Sequence, residues 1–271
     1  MAIWIGTSGY SYPDWVGGFY PCGTRSNQML GWYSRYFPLV ELNFSYYQVP
    51  TAGHLGRLAR QTPDGFQFLV KLHRSLSHHH DRRELPRFRE AVAELRRQGK
   101  LLGLLCQLPQ AIHHDEKSRR WLEMLAGELA GFPLAVEFRH RSWFRPDVPV
   151  WLRDHGMDLV AVDVPDIPAL YPRGLVRSDR TVYVRWHSRA ADKWYTDDAS
   201  RYDYHYSDDE LADWIRALAA EPAERSLLLF NNCQRTQAAH NARRMQELLA
   251  KLAPHLEVVE PFAAKERSLF D

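Results

Sequence analysis

Polar residues that can carry chemistry stand at or just past the ends of short apolar runs: Glu41, Asn43, Lys71, His73, Gln107, Glu137, Arg139, Asp163, Arg185, His187 and Asn231. Glu41 and Glu137 are candidate catalytic bases and His187 and His73 candidate proton donors, because both residue types tune readily towards neutral pH. Lys71, Arg139 and Arg185 suit an anion clamp, the arginines through bidentate geometry. Asn43, Gln107, Asp163 and Asn231 supply further substrate contacts. Three carboxylates then face three cations, so the set is nearly balanced in charge. Glu41, Glu137, Asp163 and His187 would also suit Zn, Mn or Mg. Against a metal, no HxH or HExxH pair lies on an expected strand or helix, and the flanking cations compete for the carboxylates. No metal ligand is therefore assigned. The cofactor stays open, with a divalent metal the less favoured choice.

These residues need elements that gather them. Short apolar runs at 3–7, 40–44, 66–72, 101–108, 134–138, 159–164, 182–187 and 227–231 alternate with amphipathic stretches such as 85–98 and 238–252. Apolar spacing near i, i+3, i+4, i+7 favours helix in those stretches. Strand–helix alternation implies parallel strands with crossover helices. Eight such units make a single-domain α/β fold, a (β/α)8 TIM barrel, for which about 250 residues is typical; the chain has 271. The rival, an open doubly wound sheet binding a dinucleotide, lacks a GxGxxG after its first strand.

Side chains alternate across a strand, so parity sorts interior from helix-facing positions. Val40, Leu42 and Phe44 alternate with Glu41, Asn43 and Ser45; Val136 and Phe138 alternate with Glu137 and Arg139; Val184 and Trp186 alternate with Arg185 and His187. The apolar parity should face the helices and the polar parity the barrel interior. Extending the rule to the ends of strands four, six and eight adds Gln107, Asp163 and Asn231. The resulting ring lies at the C-terminal face, where barrels do their chemistry. The competing interpretation is a structural ion network around Glu137 and Arg139.

Long connections at 8–27, 73–83 and 188–208 all follow strands and so belong to that same face. The first and last are rich in aromatics (Tyr10, Tyr12, Trp15, Phe19 and Tyr20; Trp194, Tyr195, Tyr202, Tyr204 and Tyr206), which either stack on a sugar or base or pack the loops onto the barrel mouth. The net charge of +2 gives no general argument for nucleic acid or a membrane surface. Cys22, Cys106 and Cys233 are too few and too widely spaced for a disulfide framework or zinc ribbon. No GxSxG elbow occurs. Without a signal peptide or an apolar run near ~18 residues, the expected setting is cytoplasmic, with no membrane association.

The series Ile5-Gly6-Thr7-Ser8-Gly9-Tyr10, Glu41-Leu42-Asn43-Phe44-Ser45-Tyr46-Tyr47, Gln107-Leu108-Pro109, Glu137-Phe138-Arg139-His140-Arg141-Ser142-Trp143 and Phe230-Asn231-Asn232 resembles domain-of-unknown-function family 72, the YecE-like proteins. The motifs run in the family's order over essentially the whole chain. The resemblance implies a TIM barrel, brings Tyr46 and Trp143 into the substrate-contact set, and implies no activity. The barrel is similar to xylose-isomerase-like and apurinic-endonuclease barrels at the level of fold alone. Sequence thus leads to an enzyme, of hydrolase or lyase type, using acid–base chemistry on a phosphorylated or sugar-containing substrate, whether a small molecule or a nucleic acid, with no obligate protein partner. Two alternatives stand beside it: a non-catalytic nucleic-acid or nucleotide binding module, and a metal-dependent hydrolase.

Overall fold

Apolar runs rich in Val, Ile and Leu form strands at all eight expected places: β1 (Ala2–Ser8), β2 (Leu39–Leu42), β3 (Gln67–Lys71), β4 (Leu101–Gln107), β5 (Leu134–Glu137), β6 (Met157–Asp163), β7 (Thr181–Trp186) and β8 (Arg225–Phe230). The computed structural model describes residues 2–176, 181–196, 199–221 and 223–262. Each strand pairs in parallel with the next, and β1 pairs with both β8 and β2, closing the barrel. A short strand, β9 (Glu257–Val258), lies beside β1 at Ala2 and Ile3, below the point where β2 joins at Gly6.

The crossovers are α1 (Ser26–Tyr33), α2 (Ala52–Arg60), the short α3 (Arg74–Ser77) with α4 (Leu85–Arg97), α5 (Glu116–Glu128), α6 (Asp147–Asp154), α7 (Asp208–Ala220) and α8 (Gln237–Leu252). In α4 the stripe Leu85, Phe88, Val92 and Leu95 is buried, as its periodicity requires. Helix α7 starts at a capping box in which the Ser207 and Glu210 side chains bond each other's backbone N–H groups. Between β6 and β7 the described residues contain no α-helix. Residues 164–176 instead return across the end of β5, where Arg141 N–H donates to Ala169 O and Tyr171 N–H to Arg139 O.

Residues in register on neighbouring parallel strands share a face. Ser8 is level with Glu41 and Glu41 with Leu69; Gln107 is level with Glu137; Val162 is level with Arg185 and Arg185 with Leu229. This puts Glu41, Lys71, Gln107, Glu137 and Arg185 on the interior parity. Gly6 meets a separate demand. It runs so close to β2 that a Cβ would collide with the Leu39 carbonyl oxygen, where the Tyr33 hydroxyl also docks.

Asp163 departs from expectation. It is level with Trp186, and its neighbours Val160 and Val162 are level with Tyr183 and Arg185. In β6 the interior parity is therefore apolar, and Asp163 faces outward towards α7. There Trp214 Nε1 and the Tyr206 hydroxyl donate to its carboxylate and Arg189 grips both oxygens. It anchors the β7–α7 connection and is no part of the ring.

Candidate functional site

The ring resolves into two levels. At the lower one, Arg185 is almost fully buried and spends its donors on protein. Nε and Nη2 reach the two oxygens of Glu41 at 2.9 and 2.6 Å, Nη1 reaches Glu137 Oε2, and Nη2 also contacts Ser8 Oγ at 3.2 Å. The Tyr183 hydroxyl donates to Glu41 Oε2 at 2.6 Å. Glu137 Oε1 lies 2.5 Å from Arg139 Nε and 3.4 Å from His187 Nε2. Asn231 Nδ2 lies 2.9 Å from His187 Nδ1. Glu41, Glu137, Arg185 and His187 are all buried beneath the surface that a ligand would meet.

Above this network opens a cavity of about 870 Å³ at the C-terminal mouth, within the usual range for a small-molecule site. Lys71, Gln107, Arg139, Asn43 and Asn231 form its floor; Tyr10, Tyr12, Tyr46, Trp194 and Tyr202 supply aromatic walls. Lys71 Nζ donates to Gln107 Oε1 at 2.8 Å and sits 4.8 Å from the Tyr46 ring centroid. The Arg139 guanidinium lies 5.6 Å from the Trp194 ring centroid. The charged lining is Lys71, Arg139 and Arg201 against Asp14. Asn43 Oδ1 is buried and accepts no hydrogen bond from the described residues, a vacant acceptor that a ligand hydroxyl would satisfy.

The electrostatics assign protonation states. Burial alone would raise the Glu137 carboxyl, but Arg139 and Arg185, with His187, outweigh it and hold it well below the usual carboxylate range. Burial, then the Arg139 charge, pull His187 down to about 3, so its ring is neutral. Burial and the Lys71 charge likewise lower His78, at the cavity wall, to about 4. Lys71 differs. Burial, then the charge of Arg185, lower its amine to about 7, opposed by Glu137 and Glu41. Burial pushes the thiols of Cys106 and Cys233 up to about 12, which leaves both protonated and unreactive at neutral pH.

Of the residues selected by sequence, Asn43, Tyr46, Lys71, Gln107, Arg139 and Asn231 line one cavity. Glu41, Glu137, Arg185 and His187 lie under it, bonded to one another and to Arg139, and are not part of its lining. His73 falls outside the lining. Beyond β3 the backbone turns into α3, and the His73 ring accepts from Ser75 N–H as a helix cap. Trp143 is also outside: it stacks on Phe138 behind the barrel wall and donates to Ile112 O. The aromatic loops divide. Trp15 and Tyr20 are packing residues, whereas Tyr10, Tyr12, Trp194 and Tyr202 reach the cavity. Arg201 carried no motif. Tyr183 shares the parity of Arg185, and that signal alone could have placed it against Glu41.

The family model described as "Protein of unknown function DUF72" matches residues 4–266. The chain belongs to the DUF72 family. The UPF0759 protein YunF of Bacillus subtilis (strain 168) is 30% identical over 270 residues, covering 91% of this chain and 94% of YunF. A DUF72 structure from Thermotoga maritima MSB8 superposes with a TM-score of 0.84 at 33% identity, covering 92% of this chain and 99% of that one. A DUF72 structure from Enterococcus faecalis V583 gives 0.81 at 26% identity, covering 91% and 95%. The segments Glu41–Tyr47 and Glu137–Trp143, which carried the resemblance in the sequence, contribute to both levels of the site and to the wall behind it. Among the described residues no group of three or more His, Cys, Asp or Glu is placed to hold a metal ion. No helix among them is long and apolar enough to cross a membrane.

Proposed function

We propose that this protein is an enzyme that binds a small phosphorylated, hydroxyl-bearing molecule of the sugar-phosphate type in the mouth cavity and exchanges a proton with it. The carrying observation is the lining itself: among the described residues, three basic side chains, Lys71, Arg139 and Arg201, converge on one cavity with one acid, Asp14. Arg139 and Arg201 bind the anion. Asn43 Oδ1 accepts from a hydroxyl, and Tyr46 and Trp194 pack the apolar face of the ring. Lys71, with its amine near neutrality, replaces Glu137 and His187 as the group that changes protonation during turnover. Glu41 and Glu137 keep Arg185 and Arg139 in place. Of the two activity types expected, proton removal beside a carbonyl, a lyase-type step, suits a titrating amine better than hydrolysis.

The test is a panel of sugar phosphates incubated with the protein in D2O, with carbon-bound deuterium read by mass spectrometry. Exchange that Lys71→Met abolishes, and for which Arg201→Ala raises KM, supports the reading. Absence of exchange together with absence of inorganic pyrophosphate binding by calorimetry overturns it.

A second reading, a non-catalytic nucleotide or nucleic-acid binder, is favoured by Tyr47 and Tyr195, which remain 70% and 60% exposed. Affinity for a single-stranded oligonucleotide that falls steeply with salt would support it; no binding at low salt would remove it.

A further inference from the structure

Two lysines with lowered amine pKa values serve different ends. On the opposite side of the barrel, Lys100 Nζ is saturated: it donates to Ala59 O, Thr62 O, Thr62 Oγ1 and Pro63 O at 2.7 to 3.1 Å and so caps the end of α2. Lys71 has one such acceptor, Gln107 Oε1, and an aromatic ring below its charge. Among the described residues, no carboxylate lies within ion-pair distance of Lys71. The nearby acids are engaged elsewhere, Glu41 by Arg185 and Tyr183, Glu137 by Arg185 and Arg139. A lysine kept for its charge would be given one of those carboxylates. Here the arginines take them, and the amine is left pointing into a cavity with further cations at its wall.

We propose that Lys71 is a covalent nucleophile, and that the molecule bound in this cavity carries an aldehyde or ketone in addition to its anionic group. The inference rests on the reading of the cavity as a sugar-phosphate site, narrows the substrate to an open-chain carbonyl form, and makes the change in protonation of Lys71 part of forming a bond to it. The neutral Nζ lone pair attacks the carbonyl carbon. A C–N bond forms as the C=O π bond opens, and one N–H proton passes to the oxygen to give a carbinolamine. Loss of that oxygen with the second N–H proton releases one water and leaves a C=N bond to Lys71. No oxidant or further reactant is consumed. The lowered amine pKa supplies the neutral form this attack requires. The Tyr46 ring and the Arg139 and Arg185 charges surround the nitrogen without offering it a carboxylate partner.

The probe is glycolaldehyde phosphate, with unphosphorylated glycolaldehyde as comparison, each trapped on the wild-type protein by sodium cyanoborohydride and mapped by peptide mass spectrometry. Lys71 should acquire one reduced adduct at least about tenfold faster than the exposed Lys117 and Lys251 at pH 7, with a half-maximal rate near its amine pKa. Buried, saturated Lys100 should stay unlabelled. The phosphorylated probe should outpace the unphosphorylated one, and inorganic pyrophosphate should slow it. Labelling of Lys71 no faster than Lys117 overturns the covalent proposal. If pyrophosphate binds by calorimetry while Lys71 stays unlabelled, the covalent proposal fails and the anion site stands. If Lys71 is labelled selectively but at equal rates by both probes and without competition by pyrophosphate, the amine chemistry stands and the phosphate reading fails.

Discussion

Arg185 holds Glu41 through two parallel hydrogen bonds, and the same guanidinium reaches across the barrel to Glu137. One arginine therefore pairs with carboxylates from β2 and β5 in the buried interior, and each of the three groups depends on the others. Removing one partner strands a buried charge, which costs about 3–5 kcal/mol. Arg185→Met should accordingly destabilise the protein by that order in urea unfolding. Glu41→Gln, which keeps the shape and leaves Glu137 to pair with Arg185, should cost less. Equal stability of Arg185→Met and the wild type would show that the network contributes nothing to folding.

Acid should weaken the fold before any ordinary carboxylate titrates. Native His187 resists protonation down to about pH 3, whereas in the unfolded chain it takes a proton near 6.5. Between those values the unfolded state binds more protons, so stability falls as pH falls. Glu137, held well below its usual range, adds a loss of the same sign at lower pH. Urea midpoints from pH 7 to 4 should decline, and His187→Gln should flatten the upper part of that curve.

Lys71 carries a signature of the same sign in a higher pH window. The unfolded chain keeps its proton to about 10.5 and the native state only to about 7. Stability from this group therefore rises with pH across that window, and its cost is present at pH 7. Lys71→Met should raise the melting temperature at pH 7 by several degrees, a gain that shrinks towards pH 10, while losing all deuterium exchange. A variant that is less stable than wild type at pH 7 would contradict a strained amine.

Arg201 offers a cleaner test of anion binding than Arg139, because Arg139 also neutralises Glu137. Arg201→Ala should leave the urea midpoint unchanged and weaken pyrophosphate binding about tenfold, the equivalent of one charge-assisted hydrogen bond of about 1.4 kcal/mol. Calorimetry on both proteins reads this directly.

Asp163 accepts from Trp214, Tyr206 and Arg189, and Arg189 continues to Glu210 at the start of α7. Asp163→Ala should cost about 2–4 kcal/mol through buried donors left unpaired and should alter Trp214 fluorescence. Unchanged stability and emission would separate Asp163 from the anchoring of this loop.

How far the sequence could be read follows from these same residues. Strand parity found the interior polar set on β2, β3, β5 and β7 because apolar and polar residues alternate there. The rule failed at Asp163, where β6 presents Val160 and Val162 inward and nothing in their sequence marks the reversal. It failed at His73 because the backbone there turns into α3 and the ring is taken up as that helix's cap. The division of the ring into a buried network and a cavity lining was illegible too. It depends on which guanidinium reaches which carboxylate, a matter of side-chain length in three dimensions. That distinction moved the functional emphasis from Glu137 to Lys71.

The short strand beside β1 has a consequence for the order in which the molecule can assemble. Ala2 and Ile3 are level with Glu257 and Val258 on one flank and with Arg225 and Ser226 on the other, and Val259 N–H donates to Ile3 O. Ala2 and Ile3 thus find these neighbours more than 200 residues further along the chain, whereas β2 joins the upper half of β1 from close by. Until those neighbours arrive, its lower half is an unpaired edge, open to strands of other molecules. Loop closure over such distances makes this a late and slow event. The barrel is sealed between strands far apart in sequence, and residues 257–259 cover the lower edge of β1 at that seam.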